Sequence, residues 1–163
     1  MESRSSLKST LALHEFPVDT PLSYSLNEKV DWPKALLEEL NEEVGSSERN
    51  GFSSAISIRL EALRRRGQAL GDYLLLEGEV WAKYITRCIM SFEIMEEILT
   101  IPMNAVVIPR IRQRSMGLEE ATIFFVDDRE RDLFFYDLKV DVAEIVHEYI
   151  YLNKNPYPKK SSP

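Results

Sequence analysis

Apolar and polar residues alternate most regularly between residues 55 and 63. Ile56, Ile58, Leu60 and Ala62 fall on one face, and Ser57, Arg59 and Glu61 on the other. A period of two is that of a half-buried strand. Arg64-Arg65-Arg66-Gly67 breaks the pattern and Gly71-Asp72 marks a turn. Residues 73–76 resume extended structure and run into a second strand that ends on the chain's one cysteine, Cys88. Val80, Ala82, Tyr84, Thr86 and Cys88 share one face of it, and Glu79, Trp81, Lys83, Ile85 and Arg87 the other. Apolar area on both faces predicts a central strand, and two long strands about a turn predict a hairpin.

The flanks carry weaker patterns. Residues 7–16, with Leu7, Leu11 and Leu13, predict a short edge strand that stops at Pro17. Leu22, Tyr24 and Leu26 predict another short strand. Asp31-Trp-Pro opens a helix, with Asp31 as N-cap and Pro33 tolerated in the first turn. Its apolar stripe is Ala35, Leu36, Leu37, Leu40 and Val44. Glu38, Glu39, Glu42 and Glu43 cover the remainder, and Gly45 stops it. Residues 92–101 fit a strand (Phe92, Ile94, Ile98) or a helical stripe (Phe92, Met95, Leu99), ended in either case by Pro102. A short strand over 105–108, a polar loop over 110–120, a strand over 122–126, a charged turn over 127–132 and a returning strand over 133–136 follow. Asp141-Val-Ala-Glu144 has capping-box spacing with Asp in place of Ser or Thr, and the helix it opens should end near Asn153. The expected fold is α+β: one domain over 1–163 with disordered tails at 1–6 and 159–163. Its sheet is antiparallel and strongly curved, with one helix near each end of the chain.

Composition narrows the chemistry. Net charge is −7, whereas proteins that coat nucleic acid by charge alone are basic. Indiscriminate nucleic-acid binding is therefore not expected, and a basic protein partner fits better. A single cysteine excludes an intramolecular disulfide and an all-cysteine zinc site. Cys88 with the two histidines, His14 and His147, gives three soft ligands from distant segments, so no metal site is expected. His-Glu-x-x-His, Gly-x-Ser-x-Gly and phosphate-cradling glycine loops are all absent from the sequence. The expectation is a non-enzymatic protein without a cofactor. No run approaches the roughly 18–20 apolar residues that span a bilayer, and no apolar run follows the Ser-rich residues 1–10. A cytoplasmic protein without a membrane partner is expected.

Charge is distributed unevenly. Arg64, Arg65 and Arg66 sit at the expected hairpin tip. Arg110, Arg112 and Arg114 alternate, which puts them on one side if the segment stays extended. These six are the candidate phosphate contacts, because a guanidinium meets phosphate with two parallel N–H donors; the plainer reading is that exposed loops carry charge. Trp81 and Tyr136 are candidates for base stacking or for core packing. Glu38, Glu39, Glu42 and Glu43 are a solvated helix face, or an acidic surface for a basic partner. Cys88 is better read as a buried small hydrophobe than as a reactive thiol.

The order of Gly78 at the start of a long strand, Arg87-Cys88 at its end, Val140-Asp141-Val142, Leu152 and Pro158 resembles the YceD-like family over residues 55–158. Bacterial and plastid members of that family are linked to accumulation of large-subunit ribosomal RNA. Its pattern ends the strand in Cys-x-Arg-Cys, and here Ile85 stands at the first cysteine. Asn155 stands where the first of two terminal prolines falls, Glu148 is one position out of register with an acidic residue of the last helix, and a later cysteine of some members is missing. The resemblance makes Gly78, Arg87, Cys88 and Asp141 signature positions. It implies a factor in large ribosomal subunit biogenesis that binds large-subunit rRNA or a basic ribosomal protein. A protein-interaction adaptor unrelated to ribosomes is the alternative.

Overall fold

In the computed structural model, residues 3–160 are described; residues 1, 2 and 161–163, parts of the expected tails, lie outside the described residues. The chain begins with two two-residue strands, β1 (Ser3–Arg4) and β2 (Thr10–Leu11), a 3-10 turn over Leu13–Glu15, and β3 (Leu22–Asn27). After α1 (Asp31–Leu40) come the long strands β4 (Ala55–Gly67), β5 (Gly71–Arg87) and β6 (Ile94–Pro109). The short helix α2 (Ile111–Ser115), β7 (Ile123–Val126), β8 (Arg129–Tyr136), β9 (Val140–Asp141) and α3 (Val142–Asn153) complete the described residues.

Seven strands form one sheet in the order β1-β3-β4-β5-β6-β8-β7, while β2 and β9 pair separately. The expected hairpin is present as β4 against β5, from Ala55↔Lys83 to Gly67↔Gly71, and β5 is central. The sheet is mixed, which corrects the antiparallel expectation: β1 runs parallel to β3, and β6 parallel to β8. The second parallel pair arises because the chain leaves β6 through α2, forms the far edge as β7, and only then inserts β8 between them. Nor is the sheet closed or strongly curled. Its edge strands, β1 and β7, are two and four residues long and do not meet.

Other expectations change for local reasons. β6 runs straight through Pro102, which faces Glu79 in register. β8 pairs with β6 only from Ala105 onward, so Pro102 occupies an edge position, where a missing N–H is tolerated. The arginine run does not break β4, which continues to Gly67. Of residues 7–16 only Thr10 and Leu11 are strand, and they pair with β9. Residues 129–132 belong to β8 rather than to a turn. In α1, Val30 is the N-cap and Asp31 the first helical residue. The helix stops at Leu40 with Asn41 as its C-cap, and the Asn41 side chain serves the sheet: its Nδ2 donates to Ser54 Oγ at 3.0 Å and its Oδ1 accepts from Ile85 N at 2.8 Å. Asp141 caps α3 as expected, accepting from Glu144 N at 2.9 Å.

The two faces of the sheet bury unequal cores. On one, Leu36, Leu37 and Leu40 of α1 and Val142, Ile145, Val146 and Ile150 of α3 pack over Ile58, Val80, Ala82 and Tyr84. The other carries a smaller cluster of Leu70, Tyr73, Leu75, Val106, Ile108, Val126 and Leu133, against which Met116 and Leu118 pack. The first core holds the two longer helices side by side. The second pins α2 and the chain after it beside the β4–β5 turn.

Candidate functional site

Register decides where the arginines go. β4 turns into β5 at Gly67↔Gly71, β5 is held to β6 up to Leu74↔Val107, and β6 ends beside β8 at Pro109↔Tyr136. The hairpin tip, the start of α2 and the end of β8 therefore meet at one end of the sheet. Two guanidinium nitrogens of Arg112 lie 3.6 and 3.8 Å from the point a Cβ would occupy on Gly71. Gly71 adopts φ +74°, a left-handed conformation that glycine accepts without strain. The two arginine segments, 46 positions apart from Arg64 to Arg110, thus form a single basic end.

The six candidates have different roles within it. Arg64 is buried: its Nε and Nη2 donate to the two carboxylate oxygens of Asp72 at 2.9 and 2.7 Å, and Nη1 donates to the Phe16 carbonyl at 2.9 Å. This bonding to Asp72 raises its pKa further, and the side chain is committed to structure. Arg65 is ion-paired to Asp127 at 2.6 Å, and Arg110 to Asp137 at 3.3 Å with its guanidinium over the Phe135 ring. Arg66 is exposed and only loosely paired, 3.9 Å from Asp72. Arg112 and Arg114 have no carboxylate partner among the described residues. Their segment is helical rather than extended, so the three arginines do not share one side as the alternation implied. Arg112 turns back to the hairpin while Arg114 is exposed. The open cations are Arg66, Arg112 and Arg114. Tyr136 belongs to this end, but its hydroxyl donates to the Asp72 carbonyl at 2.5 Å and burial raises its pKa. Trp81 is half-buried in mid-sheet between Ser57 and Thr100, away from the arginines.

The glutamates lie on the opposite core. Glu38 pairs with Arg49 at 3.3 Å, and the same guanidinium donates to the Val44 and Asn41 carbonyls after α1. Glu39 bonds His147 of α3 at 2.9 Å, and Glu43 accepts from Thr86 Oγ1 at 3.1 Å. Glu42 is exposed and has no ion-pair partner among the described residues. Glu39, Glu42 and Glu43 line a groove of about 550 Å³ between α1, α3 and the chain after it, floored by Leu36, Leu40 and Ile150. Lys154 also lines it, and its ammonium lies over the Tyr84 ring at 5.7 Å. Tyr84 is fully buried and its hydroxyl has no partner among the described residues. Burial, reinforced by the Glu97 and Glu43 charges, pushes its pKa up to about 12. This groove was not legible in the sequence. Lys154, at the end of a predicted helix, was the available signal, but only the tertiary pairing of α1 with α3 brings it to the glutamates.

The signature positions are structural in their contacts. Gly78 lies where β5 crosses β4 so closely that a Cβ would stand 1.8 Å from the Arg59 carbonyl oxygen. Arg87 pairs with Glu48 at 2.6 Å and donates to the Phe92 carbonyl at 3.2 Å. Cys88 is buried, as expected, and its sulfur accepts from the backbone N–H of Lys160 at 3.4 Å. That bond, with further ones from the Ser91 hydroxyl and N–H and the Met90 N–H, lowers the thiol pKa to about 6.

No protein-family model, curated protein or solved structure matches this chain. Among the described residues no cluster of three or more His, Cys, Asp or Glu is placed to hold a metal ion, and no helix is long and apolar enough to cross a membrane.

Proposed function

We propose that this protein is a non-enzymatic factor in large ribosomal subunit biogenesis, a divergent YceD-like protein acting in the cytoplasm by binding large-subunit rRNA at its arginine end. The observation that carries the RNA-binding half is the convergence of Arg66, Arg112 and Arg114 at one end of an otherwise acidic chain. A compact set of open guanidiniums gives phosphate contacts without general affinity for polyanions, since the remaining surface repels them. The ribosomal assignment rests on the ordered signature positions from Gly78 to Pro158.

The test is filter binding of large-subunit rRNA fragments across a salt series, with co-sedimentation on pre-ribosomal particles. Arg112→Glu with Arg114→Glu should weaken binding and reduce the slope of log affinity against log salt by about 2. Unchanged binding and sedimentation remove the RNA reading. The acidic groove favours a second reading, a protein-interaction adaptor unrelated to ribosomes; recovery of one non-ribosomal partner without rRNA would support it.

A further inference from the structure

We infer that the groove between α1 and α3 is a docking site for a basic protein segment, one that seats an aliphatic side chain on Leu36, Leu40 and Ile150 and turns a neighbouring lysine or arginine to Glu39, Glu42 and Glu43. This inference stands independently of the ribosomal reading, because it uses the opposite core from the arginine end.

Charge complementarity selects the occupant. Three carboxylates line the groove against two basic groups, the Lys154 ammonium and the His147 imidazole that Glu39 already holds at 2.9 Å, so negative charge is still in excess. Glu38 is already answered by Arg49, outside the groove, but Glu42 has no ion-pair partner among the described residues. Phosphate would meet net negative charge here, so RNA is the wrong ligand. The floor selects an apolar anchor: Leu36, Leu40 and Ile150 lie beneath the carboxylates, so an aliphatic group gains burial while a flanking cation stays at the rim. Size limits the anchor to a few side chains, because about 550 Å³ falls among pockets of roughly 300–1,000 Å³ that accept small ligands. The groove also holds a cation of the chain's own against an aromatic face, Lys154 over Tyr84. A second aromatic face stands beside it: Tyr151 is stacked on His147 and three-quarters exposed, a surface on which a guanidinium can lie.

The test uses the full chain and fluorescein-labelled twelve-residue peptides, read by fluorescence anisotropy. The probe carries a Leu-Ile-Leu centre flanked by lysines and arginines; one control replaces the basic residues with glutamate and another replaces the aliphatic ones with serine. The basic amphipathic peptide should bind and both controls should bind at least tenfold more weakly. Glu42→Lys with Glu43→Lys should weaken the basic peptide at least tenfold and improve binding of the glutamate peptide. Glu42→Gln alone, at an exposed position, should weaken it severalfold, which keeps the test open if the double variant does not fold. Arg112→Glu with Arg114→Glu should leave peptide affinity unchanged, so loss of RNA binding and loss of peptide binding are separable. Equal affinity for the three peptides, peptide binding indifferent to the Glu42 and Glu43 changes, or displacement of the peptide by an RNA oligonucleotide would overturn the inference.

Discussion

Arg64 and Asp72 face each other diagonally across the β4–β5 hairpin, where the arginine's Nε and Nη2 reach both carboxylate oxygens at 2.9 and 2.7 Å. The guanidinium is 7% exposed and spends its remaining arm on the Phe16 carbonyl. The pair holds the guanidinium within the hairpin, and its bond to the Phe16 carbonyl fastens the hairpin to the segment before β3. It also divides an arginine run that looks uniform in sequence into one structural residue and two surface ones.

Arg64→Met should therefore destabilise the fold by on the order of 2–3 kcal/mol, because it strands a half-buried carboxylate and a backbone carbonyl. Arg112→Met, at a position with no ion-pair partner among the described residues, should change stability by less than about 0.5 kcal/mol. Urea denaturation of the two variants checks this. A similar midpoint for both would mean that the Arg64 pair contributes nothing beyond an ordinary surface contact.

The same contrast shows what was legible in the sequence. The long hairpin, α1 and α3 could be read because their periodicity is carried by residues that touch the core themselves, such as Ile56, Ile58, Leu36 and Ile145. Parallel pairing of β6 with β8 could not, because it depends on which edge the chain reaches after α2, and no residue in β8 records that. Six arginines were legible as candidates, but their partners Asp72, Asp127 and Asp137 are assigned by register and chain return. Sequence predicted the four glutamates on one helix face, but α1 ends at Leu40 and Glu42 and Glu43 lie in the turn after it. That three of them line a groove needed α3, whose His147 lies 108 positions away from Glu39.

Gly78 is the position where side-chain size should matter most. A Cβ there would overlap the Arg59 carbonyl oxygen at 1.8 Å, and both are backbone atoms of strands paired along their whole length. Gly78→Ala should cost about 3 kcal/mol or more, at or above the usual range for overpacking, since no rotamer can relieve a clash with backbone. Gly117→Ala is a useful comparison: an added Cβ meets nothing within 4 Å, although φ is +67°. Thermal melts should rank Gly78→Ala as the more destabilised; the reverse order would show that the strands separate to admit the methyl group.

His147 joins α3 to α1 through Glu39, and this bond, with the nearby Glu39 and Glu144 charges, raises its pKa above the ordinary histidine value. A raised histidine pKa contributes stability that is fully present below the unfolded value and lost as pH rises through the folded one. The pair is partly solvated, so the contribution should stay below about 0.5 kcal/mol after screening. NMR titration of the imidazole should place its pKa above that of His147 in the Glu39→Gln variant. Coincident titrations in the two proteins would mean that the bond across α1 and α3 is not made in solution.

Cys88 should titrate below the ordinary thiol range. Its sulfur accepts from Lys160 N and from donors at Ser91 and Met90, which together hold its pKa near 6, down from the ordinary value of 9. The donors that lower the thiol pKa come from the turn after β5 and from the returning C-terminal segment, not from the apolar strand face. A depressed acid stabilises the folded state when ionised: the contribution is complete above the unfolded pKa and is lost as pH falls through the folded one. Stability of the native chain should therefore gain a component between pH 6 and pH 9 that Cys88→Ala lacks. Thiolate absorbance should titrate with a midpoint of about 6 in the native chain. Lys160→Pro removes the first of these donors without altering the strand and should move that midpoint upward. A native midpoint near 9, or one that Lys160→Pro leaves in place, would show that the C-terminal segment does not dock on the sulfur.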